Sequence, residues 1–383
     1  MTPLTLLALI TLALWLIIGL DLVVGNRSIR SLSQVTTEDI TAWPRVSVIV
    51  AARNEARHLA EGVRSLLALD YPAYELLVVN DRSEDATGAI LDAMAQADPR
   101  LSVIHLHQLP SGWLGKNHAL HLGAERAHGQ LLLFTDADIV MAPTTLSRAV
   151  ALMQQQGLDH LTVAPAMTMP TPFLQMFGAS FTLFFAMFMR PWKARDPNSP
   201  CHVGIGAFNL VRAASYRSVG GHETIRLRPD DDVKLGKIIK RGGYRSDIAF
   251  GSALVSVEWY SSVREVVRGL EKNAFAGCDY RILLVLSGMA FHLLATIWPY
   301  LAVVVCPGVT RVIYAGVVVL LTVLQAGCAR ANGFKRWHAL GLPVATALFV
   351  WIVLRAMVLN LAQGGIRWRG TFYSLTELKS NRV

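Results

Sequence analysis

The sequence predicts a doubly wound α/β domain with a mainly parallel sheet, flanked by N-terminal and C-terminal transmembrane helices. The first observation is that short apolar runs alternate with amphipathic stretches between residues 44 and 280. Strands that alternate with helices and are apolar on both faces form parallel sheets covered on both sides. The second observation is that long uncharged runs lie outside this region. About twenty apolar residues are enough to cross a bilayer as a helix.

Residues 1–26 are predicted to be an uncleaved membrane anchor. A cleaved signal peptide is the alternative, but it would begin with basic residues and end at a small-residue cleavage site. Here the start, MTPLTLL, has no basic residue, and Arg27 and Arg30 follow the apolar run. Basic residues next to a span favour the cytoplasmic side. The central domain, residues 44–280, is therefore predicted to be cytoplasmic.

Residues 281–362 are predicted to form two or three membrane helices, from the apolar runs 282–306, 312–328 and 339–362. A basic tail, residues 363–383, follows them and contains Arg367, Arg369, Lys379 and Arg382. Three crossings would place this tail outside, against the preference of basic flanks for the cytoplasm. Either the run 339–362, which contains Arg355, is re-entrant, or the tail breaks the rule.

The composition limits the possible partners. The 383 residues carry a net charge of +9, and 53% of them are hydrophobic. No stretch shows the clustered basic and aromatic pattern of a nucleic-acid groove, and many Arg and Lys residues flank apolar runs instead. The sequence therefore predicts a bilayer as partner and no nucleic acid. The four cysteines have no CxxC spacing, so neither a zinc site nor a disulfide framework is expected.

The first part of the central domain reads as alternating strands and helices. The predicted strands are 46–52, 75–80, 101–106 and 131–135, and the predicted helices are 55–69, 86–97 and 117–127. In a doubly wound sheet, ligands bind beyond the carboxyl ends of the strands. Polar residues stand at three of these ends: Arg53, Asn54 and Glu55; Asn80 and Asp81; Asp136 and Asp138.

The pair Asp136 and Asp138 predicts a metal site. Two aspartates one residue apart on an extended segment point to the same side, and Mg²⁺ is commonly bound by one or two carboxylates together with substrate phosphates. No Walker lysine loop and no GxGxxG follows the first strand, so phosphate binding by a glycine-rich turn is not expected. A solvated turn after a strand is the alternative interpretation of the pair.

Six blocks between Pro44 and Gly277 resemble family 2 glycosyltransferases, an inverting family with a GT-A fold. In order, they are VSVIVAARNEARHLAEGVRSLLALDYP, ELLVVNDRSEDAT, GWLGKNHAL, LLLFTDAD, GIGAFNLVRAASYRSVGGH and DDDVKLGKIIKRGGYR. The family commonly has Pro-x-Asn-Glu after the first strand, where this chain has Ala52 and Arg53 before Asn54. The usual Glu-Asp pair is here Asp231-Asp232.

The resemblance implies roles for individual residues. Ala51, Arg53 and Glu55 would line the nucleotide pocket, with Asp81 against the base of the nucleotide. Asp136 and Asp138 would hold Mg²⁺ or Mn²⁺ on the donor diphosphate, and Lys116 would lie beside the donor. Asp232 would be the catalytic base. The residues assigned to the acceptor region are Gly204, Gly206, Asp231, Lys272 and Asn273.

The QxxRW block of processive members is missing, and REVVRGLEKNAFAG (264–277) stands in its place. With GGIRWRGTFYSL near the end of the sequence, this block resembles membrane glycosyltransferases associated with carotenoid and hopanoid pathways. The resemblance implies transfer of one sugar from a nucleotide sugar, most commonly linked to uridine diphosphate, to a hydroxyl or carboxyl of a lipid or isoprenoid. It also implies a multi-pass protein of the bacterial cytoplasmic membrane.

Three further features have two interpretations each. Residues 173–189 are predicted to form an interfacial helix on the membrane, with a buried core helix as the alternative. Gly204 and Gly206 lie in a strand-like stretch, where they indicate either a close approach of the backbone to a sugar or a bulge. Asp230, Asp231 and Asp232 either supply the base or serve as acidic residues that favour a helix N-terminus.

Two other functions are weaker alternatives. A nucleotidyltransferase would also use carboxylates and a metal, but it usually begins with a glycine-rich basic loop after the first strand, which is missing here. A non-catalytic membrane scaffold would have no use for the full carboxylate set. His118, His121 and His128 lack metalloprotease spacing, so a zinc hydrolase is not favoured.

Overall fold

The computed structural model describes residues 2–38, 40 and 42–383. The chain forms two compact units. The sheet unit comprises Ile29–Met167, Pro191–Glu258 and Ser380–Val383. The helical unit comprises Met1–Ser28, Thr168–Arg190 and Trp259–Lys379. The chain therefore leaves the sheet unit and returns to it twice.

The strands are, in chain order, β1 (Arg30–Ser31), β2 (Val46–Ala52), β3 (Tyr74–Asp81), β4 (Leu101–Leu106), β5 (Leu131–Asp136), β6 (Val140–Met141), β7 (His160–Ala164), β8 (Ala166–Thr168), β9 (Asn209–Arg212), β10 (Ser246–Phe250), β11 (Val255–Glu258), β12 (Gly365–Trp368) and β13 (Thr371–Ser374). The main sheet has the order β1-β10-β7-β9-β5-β2-β3-β4. Only β9 runs antiparallel to its neighbours in this sheet. A small second sheet has the order β6-β11-β8, and β12 and β13 form a hairpin.

The helices are α1 (Pro3–Ser28), α2 (Leu59–Leu67), α3 (Thr87–Ala97), α4 (Gly115–Glu125), α5 (Thr145–Gln156), α6 (Pro172–Met189), α7 (Ala213–Ser218), α8 (Gly221–Thr224), α9 (Asp231–Arg241), α10 (Val263–Gly277), α11 (Ile282–Phe291), α12 (Trp298–Val305), α13 (Gly308–Ala331), α14 (Leu342–Ala362) and α15 (Leu375–Ser380). A π-helical turn, His292–Ile297, joins α11 to α12. Short 3₁₀ helices cover Leu32–Gln34, Pro191–Arg195 and Arg336–Gly341.

The main sheet is apolar on both faces because successive side chains of a strand point to opposite sides. In β2, Val48 and Val50 belong to the core cluster that also contains Leu59 of α2. Their neighbour Ile49 belongs to a second cluster with Leu120 of α4. Helices therefore cover both faces, and the predicted doubly wound, mainly parallel sheet is confirmed.

The predicted strands 46–52, 75–80, 101–106 and 131–135 agree with β2 to β5 within one residue at each end. The predicted helix 55–69 is shorter than expected, since α2 begins at Leu59 and leaves Glu55 in the preceding turn. The prediction of a strand-like stretch over residues 204–211 was wrong for its first half. Only Asn209–Arg212 pairs as a strand, and Gly204 and Gly206 lie in the loop before it.

Within the described residues, five helical segments are long and apolar enough to cross a membrane: Pro3–Ser28, Pro172–Arg195, Ile282–Val305, Gly308–Ala331 and Arg336–Ala362. Four of them correspond to the predicted N-terminal span and three C-terminal runs. The fifth contains the predicted interfacial helix 173–189, which forms α6. All five belong wholly or mainly to the helical unit.

Candidate active site

The candidate site lies at the carboxyl ends of β2, β3 and β5. Asp81 is the last residue of β3, and Asp136 is the last residue of β5. Ala51 of β2 is the register partner of Asp136 on one side and of Val79 on the other. The polar ends of three separate strands therefore meet at one edge of the sheet, as the sequence predicts.

Two arginines surround Asp81, whose side chain is only 3% exposed. Arg82 donates from Nε to Oδ1 at 2.7 Å and from Nη2 to Oδ2 at 3.0 Å. Arg53 Nη1 lies 3.8 Å from Oδ2. Sequence reasoning missed Arg82, although its place directly after Asp81 was a usable signal. The carboxylate is thus paired with positive charge while it stays at the strand end.

Asn54 and Arg82 both have left-handed backbone conformations, with φ of 55° and 54°. Such values are uncommon for residues other than glycine and often mark functional sites. Asn54 Oδ1 accepts from the backbone N–H of Glu84 at 2.8 Å, and Ser83 Oγ accepts from the N–H of Asn54 at 3.0 Å. The two turns after β2 and β3 are therefore tied to each other.

The two residues of the GK block lie against three aspartates. A Cβ atom at Gly115 would lie 2.2 Å from Asp81 Oδ2, so a side chain does not fit there. Lys116 Nζ lies 2.7 Å from Asp136 Oδ1 and 3.3 Å from Asp231 Oδ2. Burial by itself lowers the pKa of Lys116, but the carboxylates of Asp136 and Asp231 outweigh it and raise that pKa. Lys116 therefore stays charged and links the end of β5 to the start of α9.

Asp138 lies in a turn, not on an extended segment as the sequence interpretation assumed. The strand ends at Asp136, and Ala137 and Asp138 form the turn that leads to β6. The two carboxylates nevertheless interact. Burial, followed by the negative charges of Asp136 and Glu55, raises the pKa of Asp138.

This carboxylate group fits a divalent cation, because a cation would offset both the burial of Asp138 and its repulsion by Asp136 and Glu55, which raise its pKa. Among the residues that the structure describes, no group of three or more His, Cys, Asp and Glu side chains is arranged to hold a metal ion. Mg²⁺ needs only one or two protein carboxylates when substrate phosphates supply further ligands. Asp136 and Asp138 are enough for that arrangement.

The three consecutive aspartates have three different environments. Asp230 receives two hydrogen bonds from Arg228, at 3.0 and 3.2 Å, and both side chains are buried. Asp231 faces Lys116. Asp232 accepts from the backbone N–H groups of Gly206 and Val233, each at 2.8 Å. The repulsion within this run is therefore offset at Asp230 by Arg228 and at Asp231 by Lys116.

Asp232 has the property expected of a proton acceptor. Burial, followed by the charge of Asp231, raises its pKa to about 7, although Lys116 partly opposes the shift. A base works best when its pKa is close to the operating pH. The surroundings of Asp232, which the family resemblance implies as the base, therefore suit that role.

Gly204 and Gly206 bring the loop before β9 into close contact with the start of α9. A Cβ atom at Gly204 would lie 1.8 Å from the carbonyl oxygen of Asp232, and one at Gly206 would lie 2.7 Å from Asp136 Oδ2. The structure thus shows a close approach of the backbone to Asp232 and Asp136, and the predicted approach to a sugar stays a prediction. Both lie in the same site as Asp136, Asp231 and Asp232.

Lys272 and Asn273 belong to the helical unit, where they lie on α10. Lys272 Nζ lies 4.3 Å from the centre of the Trp368 ring. Their predicted place in the acceptor region stays a prediction. The remaining predicted site residues, from Ala51 to Asp232, all belong to the sheet unit.

Residues 47–220 match the family model described as Glycosyl transferase family 2. The chain is 24% identical over 239 residues to a 4,4'-diaponeurosporenoate glycosyltransferase of Staphylococcus haemolyticus, which covers 61% of this chain and 62% of that protein. It is 34% identical over 126 residues to a beta-monoglucosyldiacylglycerol synthase of Synechocystis, which covers 32% of this chain and 26% of that protein. The chain thus spans less than two thirds of the length of these relatives.

The fold is shared with a solved structure, a mannosyltransferase from Pyrobaculum calidifontis in complex with GDP-Man and Mn²⁺. The TM-score is 0.56 at 18% identity, and the match covers 94% of this chain and 99% of that one. The predicted GT-A-type fold is thereby confirmed.

Proposed function

We propose that this chain, which contains a family 2 glycosyltransferase domain, is a membrane-bound inverting glycosyltransferase. It moves one sugar from a nucleotide-sugar donor to a hydroxyl or carboxyl of a lipid or isoprenoid acceptor. The observation that carries the proposal is the juxtaposition of Lys116, Asp136 and Asp231 at the end of the sheet, with Asp232 beside them.

Asp232 is the base in this proposal. In an inverting transfer, the acceptor oxygen attacks the sugar carbon from the face opposite the leaving diphosphate and loses its proton. A positioned carboxylate that accepts this proton typically contributes about 10²–10⁴-fold. The N–H of Gly206 orients the carboxylate of Asp232 through its hydrogen bond to Oδ2.

The donor is assigned to the edge formed by β2, β3 and β5. Arg53, Glu55 and Asp81 line the nucleotide pocket, and uridine diphosphate sugars are the first donors to test. Asp136 and Asp138 would hold Mg²⁺ or Mn²⁺, which when bound would neutralise charge on the donor diphosphate. Lys116 adds a permanent positive charge beside Asp136.

The names of the relatives support a lipid-like acceptor. One is a diaponeurosporenoate glycosyltransferase and another a beta-monoglucosyldiacylglycerol synthase. The helical unit of this chain supports the same proposal, since it carries the five apolar helices. A membrane-embedded acceptor would reach the enzyme without leaving the bilayer.

We place the protein in the bacterial cytoplasmic membrane, with the sheet unit in the cytoplasm. The two chain segments on either side of α6, residues 29–167 and 191–258, both belong to the sheet unit. A single crossing by α6 would put them on opposite sides of the bilayer. This connectivity supports the interfacial interpretation of 173–189, because a helix of 18 residues can lie along the surface instead.

The same argument concerns the basic tail. Residues 29–38 and 380–383 belong to the sheet unit, so the chain between them crosses the bilayer an even number of times if α1 is the N-terminal anchor. Of the three C-terminal apolar segments, two would cross and one would be re-entrant. Arg355 of α14 is paired with Glu271 of α10, which makes the segment 339–362 the best re-entrant candidate.

The test is an assay of the purified full chain with a set of labelled nucleotide sugars and a bacterial lipid extract. We expect release of a nucleoside diphosphate and transfer of label into the lipid fraction. Release of pyrophosphate would instead indicate a nucleotidyltransferase. No product with any donor, from folded protein in the presence of Mg²⁺ and Mn²⁺, would contradict the proposal.

A further inference from the structure

We propose that Asn381 is a positioning residue for Asp232, which rests on the proposed role of Asp232 as the base. Residues 259–379 belong to the helical unit, but residues 380–383 return to the sheet unit. There, residues 380–383 form hydrogen bonds with the turn that leads into α9. Asn381 thereby connects a distant part of the sequence to the acceptor side of the site.

The side-chain amide of Asn381 uses both of its polar atoms on one backbone segment. Its Oδ1 accepts from the N–H of Leu227 at 2.9 Å, and its Nδ2 donates to the carbonyl oxygen of Thr224 at 2.9 Å. Thr224 is the last residue of α8. The amide therefore bridges the turn between α8 and α9 at two points.

Helix α4 binds the same turn through other backbone groups. The N–H of Leu114 donates to the carbonyl of Arg226 at 2.9 Å. The buried side chain of Asn117 donates to the carbonyls of Ile225 and Arg228, at 2.8 and 3.0 Å. Each of the residues 224–228 thus has a backbone hydrogen bond to Asn381, to Asn117 of α4 or to Leu114, which directly precedes α4. The turn is held over its whole length.

This turn ends directly before the catalytic aspartates. Arg228 binds Asp230 with two hydrogen bonds, and α9 begins at Asp231. Lys237 of α9 also donates to the carbonyl oxygen of Val383 at 2.7 Å. A shift of the turn would therefore move the start of α9, where Asp232 meets Gly206.

General support of folding is the alternative role for these bonds. It would lower the stability of the whole sheet unit but leave the ratio of catalysis to donor binding unchanged. A positioning role makes a different prediction, because a misplacement of about 1 Å can cost about 10²-fold in rate. The full chain in detergent can separate the two roles.

The experiment compares Asn381→Ala with Arg382→Ala. Arg382 is the matched control because its side chain is exposed one residue further on. We expect Asn381→Ala to speed hydrogen–deuterium exchange within residues 224–232, to lower kcat by up to about 10²-fold and to leave nucleotide affinity unchanged. Asn381→Asp retains the acceptor for Leu227 and should recover part of the lost kcat. Arg382→Ala should behave as the wild type.

Exchange within 224–232 that is equal in Asn381→Ala and the wild type would overturn the inference. An unchanged kcat, or equal losses in the Asn381→Ala and Arg382→Ala variants, would overturn it as well. Wild-type protein that transfers no sugar would instead contradict the proposed function. In that case the exchange comparison still decides whether Asn381 holds the turn.

Discussion

The ammonium group of Lys116 lies 2.7 Å from Oδ1 of Asp136, at the end of the central strand β5. One member of the predicted metal pair therefore already has a positive partner that comes from α4. The same ammonium group reaches Asp231 of α9. A single side chain thus joins the donor and acceptor parts of the proposed site.

Replacing Lys116 with Met should lower kcat/KM strongly. The change removes a positive charge beside the donor diphosphate and leaves Asp136 and Asp231 without their shared cation. Loss of one such stabilising group typically costs about 10²–10³-fold. Steady-state assays with the identified donor measure this change in kcat/KM. Lys116→Arg is the control, and equal activity in Lys116→Met and the wild type would exclude the role.

Asp138→Asn should remove most activity while the protein still folds. The change keeps the shape of the side chain but removes a charged oxygen ligand for a hard cation. The measurement is activity against Mg²⁺ and Mn²⁺ concentration, with thermal unfolding as the check on folding. Asp70→Asn, at an exposed position, is the matched control. Activity of Asp138→Asn that persists in a chelator would show that the metal role is wrong.

Asn substitutions at the three consecutive aspartates should have different effects on activity and on stability. Asp232→Asn should abolish transfer but keep donor binding, because it removes the proton acceptor. Asp230→Asn should instead lower the free energy of unfolding by about 3–5 kcal/mol, since it removes the buried carboxylate that accepts two hydrogen bonds from the buried Arg228. Activity, nucleotide binding and chemical denaturation distinguish the variants. Small and equal losses at all three positions would leave only the helix-dipole explanation.

Stability should fall as the pH is lowered from about 6.5 to about 4, partly because of His160. Burial lowers the pKa of His160 to about 4, and its ring contacts Ser246 and Asn209. The unfolded chain takes up the proton near the ordinary pKa of about 6.5, so acid favours unfolding over this interval. Denaturation curves measured at several pH values give the free energy of unfolding at each pH. This free energy should change less with pH in His160→Gln than in the wild type. A profile unchanged by His160→Gln would contradict the assignment.

A reporter fused after Val383 should give a cytoplasmic signal. Residues 380–383 belong to the sheet unit, and the proposed topology places that unit in the cytoplasm. The control is a reporter fused after Val305, which should be external if the segment Ile282–Val305 crosses once. An external signal after Val383 would remove the re-entrant interpretation of residues 339–362.

The sequence was sufficient to predict those parts of the structure that depend on a local pattern of residues. The strands β2 to β5 were predicted closely because each is a short apolar run bounded by polar residues. The carboxyl ends of parallel strands lie at the same edge of a sheet, and this predicts that Asp81 and Asp136 lie close together. At Gly204 and Gly206 the structure shows a close approach of the backbone to Asp232 and Asp136, whereas the sequence predicts an approach to a sugar or a bulge.

Contacts between distant segments could not be predicted in the same way. Nothing local indicates that Lys116 reaches Asp231, or that Asn381 bonds to Leu227. The turn at Asp138 was missed because the prediction continued the extended conformation beyond the end of the strand at Asp136. The left-handed conformation of Arg82 could not be predicted either, because it is uncommon for residues other than glycine.

The antiparallel strand β9 has a consequence for biosynthesis. It pairs with β5 on one side and β7 on the other, yet residues 137–208, including the apolar α6, separate it from β5. During translation, β2 to β5 are complete first, and β5 has an open edge until β9 is made. Such edges and long loop closures favour slow folding and aggregation. The nascent half-sheet should therefore depend on chaperones.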